Sequence, residues 1–434
     1  MRLLCVKVLA LAVVAASLGV VGQPARALGQ GAEPTKDTAA AEKSSPVFSD
    51  AEMHDFMAKA HRAEAISDPL QRCIAYPDPP GSHWSAAAAR AYCIYHMRAV
   101  MPFKDAKALV DAGKAAELDA YLKDALKQQL TRKESAGQLD HIYYVYFSSS
   151  STQTRAMIDA WKRQRPKSAF ALAASGHDYA NKAWAARGTR YASDTSRESF
   201  RSMDESFKFA REELEKAIAI DPRVLPVYSG LINISKAYGD MASASEAARR
   251  GLAVQAANYS IYAQLLGVAE PRWGGSLDEM SQLIEKAQAQ AKDNDLLKLL
   301  LPLRAAYEAK ITTCDCTDPA VYRTVLDQMP SGDLLVLAAN AADAASKADM
   351  AVVYQSEVIR FYPKRDMDRA QRMRHLITLG EKSWARADAD ALSARTPADG
   401  HVLDAALRVY MTLGDDSAAR RVVARMDELD RKDP

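Results

Sequence analysis

The chain has almost no net charge and, beyond Val21, no run of eighteen apolar residues. Its 57 Lys and Arg stand against 55 Asp and Glu, a formal charge of +2. Without Arg2, Lys7 and Arg26 the balance is 54 against 55, so nothing in the bulk composition attracts nucleic acid. The absence of a later apolar run excludes a membrane span in the rest of the chain. The H-E-x-x-H, G-x-S-x-G, phosphate-loop and C-x-x-C patterns are all missing. Gly29-Gln30-Gly31 has neither a strand before it nor a helix after it and carries no nucleotide signal. What is present, 48% hydrophobic and 26% charged residues over 434 positions, is a globular balance that excludes disorder throughout and leaves room for two or three domains.

Residues 1–27 read as a signal peptide. Arg2 and Lys7 precede the apolar run Val8 to Val21, and Ala25-Arg26-Ala27 supplies a small-x-small cleavage site. Fourteen helical residues reach roughly 21 Å, short of a hydrocarbon core of about 30 Å, so the run is too short for an anchor. Cys5 lies before it, where it cannot serve as an acylated lipoprotein cysteine. The expected localisation is export, to a bacterial periplasm or beyond. Residues 28–48, rich in Ala, Gly, Glu, Lys and Ser, read as a disordered linker.

Four cysteines remain after cleavage, and four allow three pairings. Spacing and an oxidising compartment favour Cys73 with Cys93, across Tyr76-Pro77-Asp78-Pro79-Pro80-Gly81, leaving Cys314 with Cys316. The second bridge would close a tiny loop and gain little chain entropy. A metal or redox role for that pair is the alternative, but Asp315 and Asp318 would raise a thiol pKa and no histidine is near.

From Asp50 onward apolar residues recur at helical spacing in segments of 12 to 20 separated by Gly, Pro, Asp or Ser. The β-branched and aromatic run Ile142 to Phe147 is too isolated for a sheet and reads as a buried helix. The expected class is all-α. Counted from Leu225, Tyr228, Leu231, Gly239, Ala244 and Ala248 occupy positions 4, 7, 15, 20 and 24. Counted from Gly400, Leu403, Tyr410, Gly414 and Ala419 occupy 4, 11, 15 and 20. This register resembles the tetratricopeptide repeat, which implies a right-handed α-solenoid of antiparallel helix hairpins without a substantial sheet. The expected partition is a helical region over 49–165 and repeats over 166–434, capped by the hairpin Val402 to Leu429.

Three further segments are Cys73 to Trp84 (CIAYPDPPGSHW), Trp184-Ala185-Ala186-Arg187-Gly188 and Pro271-Arg272-Trp273-Gly274-Gly275-Ser276. They resemble an uncharacterised family of secreted bacterial proteins catalogued as a domain of unknown function. The resemblance spans roughly Cys73 to Ala309 and implies a helical, exported protein with no known activity.

Ser276 and Glu279 form a capping-box pattern ahead of a helix from Leu277 to Ala291. Arg272 and Trp273 either plug a junction between hairpins or face a groove, where guanidinium and indole hold a carboxylate or a sugar ring. Trp184 and Arg187 admit the same two readings, since a helix C-terminus also favours a cation. His54 and His61 are seven apart, too far for metal chelation on one helix, and read as surface residues. His177-Asp178 has no accompanying nucleophile. Glu134-Ser135, Glu198-Ser199 and Glu205-Ser206 supply the dipeptide of peptidoglycan-cleaving transglycosylases, but none is followed by the glycine and Leu-Met-Gln run that such sites resemble.

The sequence therefore points to an exported, non-enzymatic helical-repeat protein that binds a protein or peptide partner, without cofactor or metal. The alternative is a small-ligand or glycan receptor using Arg272, Trp273, Trp184 and Arg187. A metal or redox accessory role through Cys314 and Cys316 ranks last.

Overall fold

The computed structural model describes residues 47–188, 192–312, 319–396 and 399–431. Among them are twenty-one α-helices and four 3-10 helices, and no strand. The aromatic run Ile142 to Phe147 lies in the helix Gln138–Phe147. Among the described residues no helix is long and apolar enough to cross a membrane.

Local chemistry sets most helix starts. Ser49, Asp68, Ser85, Ser151, Ser168, Ser196, Asp240, Asn258 and Ser276 each place a side-chain oxygen on an amide of the first turn, satisfying donors that the helix itself leaves unpaired. At Ser276 the hydroxyl oxygen accepts from the Glu279 amide at 3.2 Å. The Glu279 carboxylate accepts from that hydroxyl at 3.0 Å, and the helix runs Leu277–Gln288. Tyr228, Leu231, Ala244 and Ala248 are all buried, and Gly239 and Gly414 take the left-handed backbone that ends their helices.

Packing departs from the order of the chain in one respect. Residues 103–268 build one core, from Val110 and Leu118 through Ile142, Trp161 and Phe170 to Leu214, Tyr228 and Leu265. The expected boundary between 165 and 166 runs through the middle of that core. The helices Asp50–Glu64, Pro69–Ala75 and Ala86–Met97 instead join a second core with residues 296–422. A smaller cluster around Leu266, Met280 and Leu300 lies between them.

The helix Ala348–Phe361 explains the return of the N-terminal segment. Every residue from Asp349 to Phe361 is buried, so this helix needs cover on all sides. The cover is polar as well as apolar. The Val47 and Phe48 amides donate to Asp349 Oδ2 at 2.6 and 2.9 Å, with the Phe48 ring buried, so the last two residues of the expected linker belong to the fold. Arg360 donates to the Cys73 carbonyl at 2.9 Å and to Asp78 at 2.7 Å, and the Trp84 indole donates to the Leu326 carbonyl at 2.6 Å.

Cys73 and Cys93 form a disulfide, with Cα atoms 5.7 Å apart, that ties Pro69–Ala75 to Ala86–Met97. Cys314, Cys316 and the signal peptide lie outside the described residues. Replacing Cys73 and Cys93 together by serine is expected to cost about 2–4 kcal/mol, since the bridge restricts a loop of that length in the unfolded chain. Urea unfolding of wild type and double variant, with and without reductant, measures it. A wild type unaffected by reductant would contradict the assignment.

Candidate functional site

Two helices end on the same side of the first core. Ala169–Arg187 presents Trp184 and Arg187 on its last turn and is closed by Gly188, whose amide donates to the Trp184 carbonyl at 3.0 Å. Pro226–Lys236 presents Asn233 and Lys236 three residues apart, hence on one face, and its end is closed by the Gly239 and Asp240 amides. After a third helix, Tyr259–Val268, the 3-10 turn Pro271–Trp273 brings in Arg272 and Trp273.

These segments meet. The Trp184 and Trp273 rings stand edge to face with centroids 5.6 Å apart, and the Trp184 indole donates to Asn233 Oδ1 at 2.6 Å. Arg187 lies 5.8 Å from the Trp184 centroid and 5.5 Å from that of Trp273. Lys236 Nζ is 5.3 Å and the Arg272 guanidinium 5.8 Å from the Trp273 centroid. Three cations from three segments thus surround one indole, a placement that the ring's negative face favours. Glu270 pairs with Arg272 at 2.5 Å, and the Arg272 amide donates to the Tyr307 hydroxyl at 2.9 Å. Both indoles, Arg187 and Lys236 are half-buried, and Arg272 is exposed.

Two glycines permit the approach. A side chain at Gly239, where φ is +62°, would come within 2.8 Å of the Trp273 carbonyl oxygen. One at Gly275 would come within 2.2 Å of the Ala269 carbonyl oxygen. The turn carrying Trp273 is therefore seated on backbone at both sides. The Trp273 Nε1–H is buried and meets no acceptor.

All four residues singled out in the sequence are brought together, across a separation of nearly ninety positions. Lys236 and Asn233 were missed. Lys236 lies three residues before the turn glycine Gly239, the one signal that marks it, whereas nothing local marks Asn233 as a partner of an indole. Beside Arg187 an open hollow of about 500 Å³ is lined by Ser193, Asp194, Thr195, Ser196 and Ser199.

The remaining candidates separate. His54 and His61 are exposed, and His61 stacks on Trp384 with centroids 5.7 Å apart. His177 donates from Nε2 to the Pro226 carbonyl at 2.8 Å, while Asp178 accepts from Ser150 at 3.0 Å and from Arg155 at 3.2 Å. The pair therefore faces different partners. Among the described residues no group of three or more His, Cys, Asp and Glu side chains stands together as a metal set.

A second polar assembly had no sequence signal. Arg372 is fully buried and uses its whole donor fork: Nε and Nη2 reach Asp388 at 2.9 and 2.8 Å, and Nη1 reaches Glu64 at 2.7 Å and Ser356 at 3.0 Å. Tyr76 donates to Glu64 at 2.9 Å, and Trp384 at 3.2 Å. Burial works to raise the Glu64 pKa, but the Arg372 and Arg369 guanidiniums outweigh it and bring the carboxyl down to about 2. These groups tie the first helix to the C-terminal helices, and their complete mutual satisfaction gives them a structural role.

No curated protein matches the chain. Residues 103–242, which contain Trp184, Arg187 and Lys236 but not Arg272 or Trp273, match the family described as a domain of unknown function (DUF4034), to which this part of the chain is similar.

Proposed function

We propose that the protein is an exported, non-enzymatic binding protein of the bacterial cell envelope, built as a right-handed stack of tetratricopeptide-like hairpins, and that it holds a protein or peptide segment at the indole pair. The observation that carries this reading is the convergence of Trp184, Arg187, Lys236, Arg272 and Trp273 from three separate segments on a half-exposed face. Rigid aromatic anchors flanked by cations are the side chains that dominate protein recognition. The hairpin stack is supported by the packing of helices against their sequence neighbours, as Pro226–Lys236 packs on both Met241–Val254 and Tyr259–Val268.

The test is affinity capture from the envelope fraction with wild type and an Arg272→Ala, Trp273→Ala variant whose helical circular dichroism and melting are unchanged. Loss of one captured protein is the expected result. Equal capture would return both residues to packing.

A small-ligand or glycan receptor is the second reading. It is favoured by the hydroxyl-lined hollow beside Arg187, next to two indoles suited to a sugar face. The metal or redox role falls on Cys314 and Cys316, outside the described residues. Thiol titration tests it: two bridges, no free thiol and no response to metal would remove it.

A further inference from the structure

We infer that residues 103–268 are a unit inserted into a second unit made of residues 47–97 and 296–422, and that the indole pair is the clasp that holds the two together. The clasp does not depend on the binding reading above.

Three observations mark the boundary. The apolar core of residues 103–268 closes on itself, whereas the helices before it complete the core of residues 296–422. The segment similar to the family begins at Phe103, the first residue of the helix Phe103–Asp111 that opens the inserted core. Entry and exit lie side by side, as an insertion requires. Just before the entry, the Tyr95 ring stands 6.1 Å from that of Tyr259, near the exit. Both sides of the junction also meet at Gly137, where an added side chain would come within 2.9 Å of Tyr95 and 3.8 Å of Leu296.

The junction is fastened at two places. At the entry, Arg98 donates to the Glu134 and Ala136 carbonyls at 3.0 and 3.3 Å, and Lys133 pairs with Asp295 at 3.2 Å. That ion pair is half in solvent and contributes little. At the exit, the turn Pro271–Trp273 lies on the connection that leaves the inserted unit. Trp273 reaches back into that unit, with its ring against Trp184 and with Arg187 and Lys236 over it. Its neighbour reaches forward: the Arg272 amide donates to the Tyr307 hydroxyl, and Tyr307 is buried in the small cluster between the two cores. Adjacent residues of one turn thus grip opposite sides of the junction. Aromatic and cation–π contacts make this crossing stronger than the exposed ion pair at the entry.

Native-state hydrogen exchange of the full chain, read helix by helix by mass spectrometry in low urea, tests both parts. In wild type, Asp50–Glu64 and Ala348–Phe361 are expected to open with one common urea dependence, and Ala169–Arg187 and Pro226–Lys236 with another. A single opening shared by all four helices overturns the insertion. In Trp273→Ala the junction is fastened at the entry alone, so exchange in the facing helices Ala86–Met97 and Gln138–Phe147 is expected to rise about tenfold, with the remaining helices of both units at wild-type rates. Trp273→Phe keeps a ring against Trp184 and is expected to stay within about threefold of wild type. Unchanged exchange in the facing helices of Trp273→Ala, or a uniform rise in every helix of both units, overturns the clasp. Envelope capture lost in Trp273→Ala without any change in exchange leaves the binding reading standing and removes the clasp.

Discussion

Arg372→Ala is expected to lose about 3–5 kcal/mol of stability, enough to leave a chain of ordinary stability close to unfolding. The loss comes less from the missing contacts than from what stays behind. Glu64 and Asp388 would retain buried charge with only Arg369, Tyr76 and Trp384 to offset it. Arg372→Lys is expected to recover little, since an ammonium cannot reproduce the two parallel bonds from Nε and Nη2 to Asp388 while also reaching Glu64 and Ser356. Urea unfolding of the two variants provides the measurement. A loss below about 1 kcal/mol in Arg372→Ala would show that the first helix is not held through this network.

Acid is expected to loosen the seam between the two cores. His96, on Ala86–Met97, packs edge-on against Tyr92, Tyr95 and Tyr362, and its ring centroid lies 6.1 Å from that of His141 on Gln138–Phe147. Burial, and then the neighbouring His141, lower the His96 pKa to about 3. Burial, and then Arg98, lower that of His141 to about 4. Both folded values lie below the unfolded value near 6.5, so the unfolded chain binds the extra protons. The stabilisation is complete above pH 6.5 and is lost as pH falls toward 4 and 3.

Between pH 7 and 5 each imidazole accounts for about 2 kcal/mol of that loss. His177 and His375, also lowered chiefly by burial, act in the same direction. Asp140, whose carboxyl burial raises against its hydrogen bonds from Asn258 and Gln129, acts in the opposite direction at lower pH. His96→Phe keeps an aromatic ring in the seam and removes one titrating group. Its melting temperature is therefore expected to fall less between pH 7 and 5 than that of wild type. Parallel curves would exclude His96 as a source of acid sensitivity.

Helix identity was legible because it is local. The caps at Ser168, Ser196, Asn258 and Ser276, the turn glycines Gly239 and Gly414 and the apolar spacing between them are all encoded within a few residues. The disulfide between Cys73 and Cys93 was legible for the same reason, as only a short loop separates its ends. Arg272, Trp273, Trp184 and Arg187 could be chosen as unusual residues at helix ends, but their meeting could not be read, since it depends on how three helices stack. Arg372 was illegible altogether. In Asp366–Thr378 a run of arginines and aspartates looks like a solvated face, and nothing within the helix reveals that Glu64 covers it.

The amino-acid order alone marked where several helices begin, as at Ser276, indicated that helices would outnumber every other element, and favoured the pairing of Cys73 with Cys93. Tertiary structure alone decided that residues 47–97 close over a helix more than 250 positions away, and that indoles and cations from distant turns share one face. Helix formation is governed by hydrogen bonds and spacing over three or four residues, whereas the burial of Ala348–Phe361 is a demand on the whole chain, met by whichever segment carries both apolar surface and matching charge.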